Sequence, residues 1–139
     1  MSAPTGRGRL RSLYRHDRMP EVFDMALYLL QVAYTPEAWA AMAKKPQDRI
    51  EAVRPAIERL GGKVVSGYLA FGKYDLVAIM EMPNNISAAA FGIAASAGGA
   101  CSKVVTTPLM STADGVAAMK KAGSATYKPP TARAAAKRK

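Results

Sequence analysis

An α+β fold is predicted, with an antiparallel sheet and helices on one face, and three observations predict it. The stretch Gly61 to Pro83 (GGKVVSGYLAFGKYDLVAIMEMP) reads as one β-hairpin. Two segments, Ala26 to Tyr34 and Tyr74 to Met82, are apolar on both alternating faces, as expected of central strands in a covered sheet. Segments of helical character separate the strands, so the order is β-α-β-β-α-β with one further helix at the end. This is the split-βαβ, ferredoxin-like arrangement. Helices are available for only one face of a sheet whose central strands are apolar on both. A second copy covering the other face would complete a dimeric α+β barrel.

In chain order, Ala26 to Tyr34 (ALYLLQVAY) is the first strand. Leu27, Leu29, Gln31 and Ala33 share one face, and Tyr28, Leu30, Val32 and Tyr34 the other. Thr35 then caps a short helix through about Ala43, with Pro36 at its first position and Glu37 in its first turn. Trp39 and Met42, three apart, read as helix packing in preference to a stacking platform. A longer helix is expected from about Gln47 to Leu60. Asp48 and Glu51 have capping-box spacing, and Ile50, Val53, Ile57 and Leu60 form one apolar stripe. Arg49, Glu58 and Arg59 fall largely off the stripe. Pro55 should kink this helix or delay its regular start, and Gly61 is its C-terminal cap.

The hairpin strands are expected at Lys63 to Phe71 and Tyr74 to Met82. Gly72-Lys73 forms the tight turn, with Gly72 supplying a positive φ. Asn85 or Ser87 is expected to cap the alanine-rich helix from Ile86 to about Ala97. Ile86, Ala90, Ile93 and Ala94 are its expected packing residues, and Gly98-Gly99 stops it. Cys101 to Leu109 is the fourth strand, and Pro108 puts it at an edge or a bulge. A last helix runs from Thr112 to about Ala122, carrying Val116 and Met119.

The chain of 139 residues accommodates one domain with a sizeable core. That domain is expected over residues 25–122. The net charge of +10 is unevenly distributed. Residues 1–24 hold five basic and three acidic residues, residues 25–119 eight and seven, and residues 120–139 seven and none. The expected domain is thus nearly neutral, and the basicity belongs to a tail. Residues 1–24 lack apolar periodicity and read as a disordered extension, or one that precedes the true start; a basic arm or transit peptide is the other reading. Residues 123–139 read as a disordered basic tail. No apolar run approaches the roughly 18 to 20 residues of a membrane helix. The single cysteine, Cys101, admits no internal disulfide, which favours a reducing, cytoplasmic setting.

Chemistry-bearing constellations are few. The only histidine is His16, and Cys101 has no partner cysteine, so no metal site, no cofactor and no histidine-based triad is expected. The glycine pairs lack the spacing and following lysine of a phosphate loop. Tyr74 and Asp75 are the catalytic candidates. Asp75 at the start of a buried strand must be paired or hydrated. It reads as a general base or ligand anchor, or alternatively as an acceptor for backbone donors at the hairpin turn. Glu81, roughly 20 Å further along the strand, is too far to act with it as an acid/base pair. Gln31, Tyr68, Thr106 and Thr107 are ligand-binding candidates that would line the sheet face or the barrel mouth; hydrogen bonding to backbone explains them equally well. Cys101, flanked by apolar residues, reads as an inert thiol.

The residues Gly72-Lys73-Tyr74-Asp75 and the following LVAIMEMP resemble the GYD domain family, named for that Gly, Tyr and Asp. MALYLLQVAYT, the Leu60-Gly61-Gly62 junction and the alanine-rich helix before VVTTPLM extend the resemblance over about residues 25–127. It implies a small, dimeric, α+β barrel-like domain and brings no reaction with it. Three functions stand side by side. The first is a cytoplasmic homodimer binding a small molecule between its sheet and helices. The second is a cofactor-free enzyme of oxygenase or isomerase type, with Asp75 as base and Tyr74 as acid or orienting group. The third is a nucleic-acid-associated protein whose Lys/Arg tail binds weakly and without reading sequence.

Overall fold

The computed structural model of the chain describes residues 25–130. Expectations for residues 1–24 and for the end of the basic tail lie outside the described residues. The element order is β1 (Ala26–Tyr34), α1 (Pro36–Lys44), α2 (Arg49–Arg59), β2 (Lys63–Leu69), β3 (Leu76–Met82), α3 (Asn85–Ala97), β4 (Cys101–Leu109) and α4 (Thr112–Gly123). The sheet has the order β2-β3-β1-β4 with every neighbouring pair antiparallel, which is the ferredoxin-like α+β arrangement. β1 and β3 occupy the centre, where their two-sided apolar character belongs. Pro108 lies on β4, an edge strand, where a missing N–H costs no ladder bond.

One face of the sheet is the core. Tyr28, Leu30, Val32 and Tyr34 of β1 and Leu76, Ala78, Met80 and Met82 of β3 are buried there, together with Ile57 of α2 and Ala88 and Phe91 of α3. Ala38 and Met42 of α1 pack against the same cluster. The junction after α2 holds that helix tightly to the sheet. Gly61 N–H donates to the Glu58 carbonyl and Gly62 N–H to the Ile57 carbonyl, closing the helix in a Schellman motif with Gly61 at φ +88°. A Cβ on Gly62 would lie 2.2 Å from Met82 Sδ and 2.5 Å from the Glu81 carbonyl, so only glycine fits.

The helix caps follow side-chain chemistry. Thr35 Oγ1 accepts from Ala38 N–H at 3.0 Å, and Asp48 Oδ1 accepts from Ile50 N–H at 2.9 Å and Glu51 N–H at 3.2 Å. Glu51 does not reach back to close a capping box; it pairs with Arg54 at 2.8 Å. Pro55 neither breaks α2 nor delays its start, since the helix begins at Arg49 and runs through it. Asn84, ahead of both expected caps Asn85 and Ser87, caps α3 by accepting from Ser87 N–H at 2.9 Å. Ala88, Phe91 and Ala95 pack inward, while Ile86 and Ile93, expected at the core, are 81% and 69% exposed.

The β2–β3 connection also differs from expectation. The strands stop at Leu69 and restart at Leu76, leaving a six-residue loop where a two-residue turn was expected, and Gly72 is not among the positive-φ glycines. The reason is that β1 captures the loop's end. Asp75 N–H donates to the Val32 carbonyl at 2.8 Å, and Ala70 N–H to the Asp75 carbonyl at 2.7 Å. A loop tied to a third strand needs no tight turn.

The described residues from Met110 onward belong to a second compact unit. Within it α4 is capped by Ser111, whose Oγ accepts from Asp114 N–H at 3.0 Å, and residues 124–130 have no regular structure. No helix among the described residues is long and apolar enough to cross a membrane.

Candidate functional site

The face of the sheet away from the core carries three of the four ligand-binding candidates. Register sets Tyr68, Val77, Gln31 and Val105 in one row across the strands, and Ser66, Ile79, Leu29 and Thr107 in the next. Gln31 is therefore central, Tyr68 lies at the β2 edge with Val77 between them, and Thr107 is diagonal to Gln31. Thr106 does not join them. It pairs with Leu30 and points to the core side, where its Oγ1 lies near Gly92 of α3.

Asp75 and Tyr74 lie in the β2–β3 connection, both half-buried. Asp75 Oδ2 accepts from the Tyr34 backbone N–H at 2.9 Å and from the Trp39 indole N–H at 3.4 Å. The donors belong to the end of β1 and to α1, not to the hairpin turn itself. Trp39 in turn packs edge-on against Tyr34, with ring centroids 5.7 Å apart. Asp75 is thus the node at which loop, β1 and α1 meet. Tyr74 has the Lys73 ammonium 5.8 Å from its ring centroid and shares no hydrogen bond with the Asp75 side chain among the described residues.

Two cavities border this node. The larger, about 620 Å³, is a groove along the outer strand β2, floored by Ser66, Gly67 and Tyr68 and walled by α1, α2 and the turn between them; Arg54 and Glu51 face it as an ion pair. The smaller, about 300 Å³, lies between α2, α3 and the centre of the sheet. Its walls are Leu30, Val32, Leu76, Val53, Phe91 and alanines of both helices, and Tyr34, Arg49 and Cys101 bring its polar atoms. The sequence points to none of these three as site residues. The nearest signal was Arg49, a cation at the first position of a helix, where the macrodipole disfavours it by about 0.3–1 kcal/mol.

A β-bulge builds the mouth of this cleft. β1 and β4 shift register between Ala33 and Tyr34, so Cys101 falls opposite Tyr34 and Ser102 is extra, its hydroxyl donating to the Ala33 carbonyl. Burial pushes the Tyr34 phenol above its usual pKa; the adjacent Arg49 guanidinium offsets part of that rise, and Cys101 and Asp75 add to it. Burial likewise raises the Cys101 thiol, with Arg49 acting in the opposite direction. Both groups are neutral at pH 7, leaving Arg49 as the only charge lining the cleft. Arg49 also borders the β2 groove, and its Nη1 donates to Gln47 Oε1 at 2.6 Å.

No curated protein and no solved structure matches the chain. The family model of the GYD domain matches residues 28–126, a span that takes in every element from within β1 to α4 and holds the Gly72, Tyr74 and Asp75 of the motif. The protein belongs to the GYD domain family.

Proposed function

We propose that the protein is a homodimer that binds a small molecule in the cleft between α2, α3 and the sheet. The observation that carries this reading is the cleft itself: about 300 Å³ of apolar-walled space above the central strands, with a few polar groups gathered at one end. Ligand sites have this character, apolar walls for affinity and sparse polar groups for orientation. The β2 groove is larger but more polar, with Gln47, Asp48 and the Arg54–Glu51 ion pair in its lining, and its Arg54 is already satisfied by Glu51. Support for self-association comes from the sheet's other face, where Leu27, Leu29, Val77, Ile79, Val105 and Leu109 surround Gln31 and Thr107 in a largely apolar surface. Leu27 and Leu109 remain 40% and 37% exposed. A second copy offers the self-complementary cover that such a surface requires.

The enzymatic reading centred on Asp75 and Tyr74 has less support, because the Asp75 carboxylate already accepts two hydrogen bonds that hold the fold. The cleft reading is tested by screening small organic fragments by NMR. Shifts are expected at Phe91, Ala95 and Cys101, and Ala95→Leu, which fills the cleft, should abolish them. Fragments that bind only along Ser66 to Tyr68, or that bind the Ala95→Leu variant unchanged, would overturn it.

A further inference from the structure

We infer that the cleft is built for a monocarboxylate with a short apolar body, its carboxylate held by Arg49 and Tyr34 at the mouth and its body lying between α2 and α3. This rests on the reading of the cleft as the ligand site and names the class of ligand. Arg49 is half-buried at the start of α2, where the helix dipole opposes a cation. The only ion pair among the described residues is Arg54–Glu51, so no carboxylate among them stands within salt-bridge distance of Arg49. A cation held at an apolar cavity, on the unfavourable end of a helix and without an acidic partner, is poised for an anion from outside. Its planar fork matches a carboxylate with two parallel hydrogen bonds, which a lysine cannot reproduce.

Tyr34 completes the head-group site. It is 8% exposed and lines the same cleft as Arg49. A neutral phenol offers a third hydrogen to an anion. Behind these two residues the lining is wholly aliphatic, aromatic or glycine apart from the weakly polar Cys101, so it has nothing to satisfy a second charge or a hydroxyl-rich body. At about 30 Å³ for each water-sized group, the cavity takes about ten heavy atoms.

Octanoate and 1-octanol are matched probes, sharing the chain and differing in the charged head. Each is titrated by NMR into the parent protein and into Arg49→Gln and Arg49→Lys. The parent should bind octanoate at least tenfold more tightly than octanol, with shifts at Phe91, Ala95 and Cys101. Arg49→Gln should erase that preference while leaving octanol affinity within twofold, and Arg49→Lys should retain part of it. Equal binding of the two probes in the cleft, or a preference that survives Arg49→Gln, overturns the carboxylate inference and leaves the cleft as a ligand site. Failure of both probes to bind in the cleft of the parent overturns the inference; if the fragment screen also leaves the cleft empty, the broader reading falls with it.

Discussion

Asp75 receives both of its hydrogen bonds on one oxygen, from the Tyr34 amide and the Trp39 indole. Asp75→Ala should therefore cost about 1–3 kcal/mol, by leaving a part-buried backbone N–H unpaired at the end of a central strand. Asp75→Asn keeps an accepting oxygen and should cost less. Thermal melts give the order, and the emission of Trp39, the chain's single tryptophan, reports directly on the node. Equal stability of both variants with the parent would remove Asp75 from its structural role. Cys101 gives a second check at this scale. Burial raises its thiol and Arg49 lowers it. Alkylation by iodoacetamide should need a higher pH than an exposed thiol, and Arg49→Gln should move that midpoint higher still. The sign follows from the charge: removing a cation disfavours the thiolate. Tyr34 has the matching consequence for stability. A phenol whose pKa is raised on folding contributes stability that is fully present below its unfolded pKa, about 10, and is lost as pH rises through the folded value.

At the scale of elements, α3 shows its cap and its packing face as separate, measurable contributions. Asn84 binds Ser87 N–H, while Asn85, inside the helix, accepts from the Tyr28 hydroxyl at 2.5 Å. Asn84→Ala should cost about 1 kcal/mol as a lost N-cap, whereas Ser87→Ala should stay within about 0.5 kcal/mol. Phe91→Ala should cost about 3–5 kcal/mol through the cavity it opens in the core, and Ile93→Ala, with its side chain in water, should cost far less. Chemical denaturation of the four variants measures this pattern. If Ile93→Ala costs as much as Phe91→Ala, the helix is rotated from the face described.

For the whole molecule, the apolar sheet face and the asymmetric charge lead to separate expectations. Light scattering at micromolar concentration should give the mass of a dimer, and Leu29→Glu, which sets a charge in the middle of that face, should give a monomer. A compact, stable parent monomer would sink the proposed assembly. The tail should bind nucleic acid only weakly, with affinity falling steeply as salt rises, since residues 120–139 carry seven positive charges and a single aromatic residue, Tyr127. Binding that keeps sequence preference at high salt would contradict this.

The strand order was legible because local pattern and global position coincide. β1 and β3 are apolar on both faces, Pro108 tolerates an edge or a bulge, and the Gly61-Gly62 pair marks where the helix ends and the hairpin begins. Thr35 announces its helix by side-chain chemistry alone. Asn84, Asn85 and Ser87 stand too close together for sequence to choose among them, and the alanine-rich helix has no sharp apolar stripe, so Ile93 was expected inward where Phe91 is buried. What only tertiary structure decided depends on contacts distant in the chain. Asp75 is fastened to Tyr34 and Trp39, 41 and 36 positions earlier, so its partners are absent from any local pattern. The cleft depends on a bulge that sets Cys101 opposite Tyr34 and on a helix that brings Arg49 over both. Periodicity reports which face of an element is apolar; the space left between two such elements is a property of their packing, and no single segment encodes it.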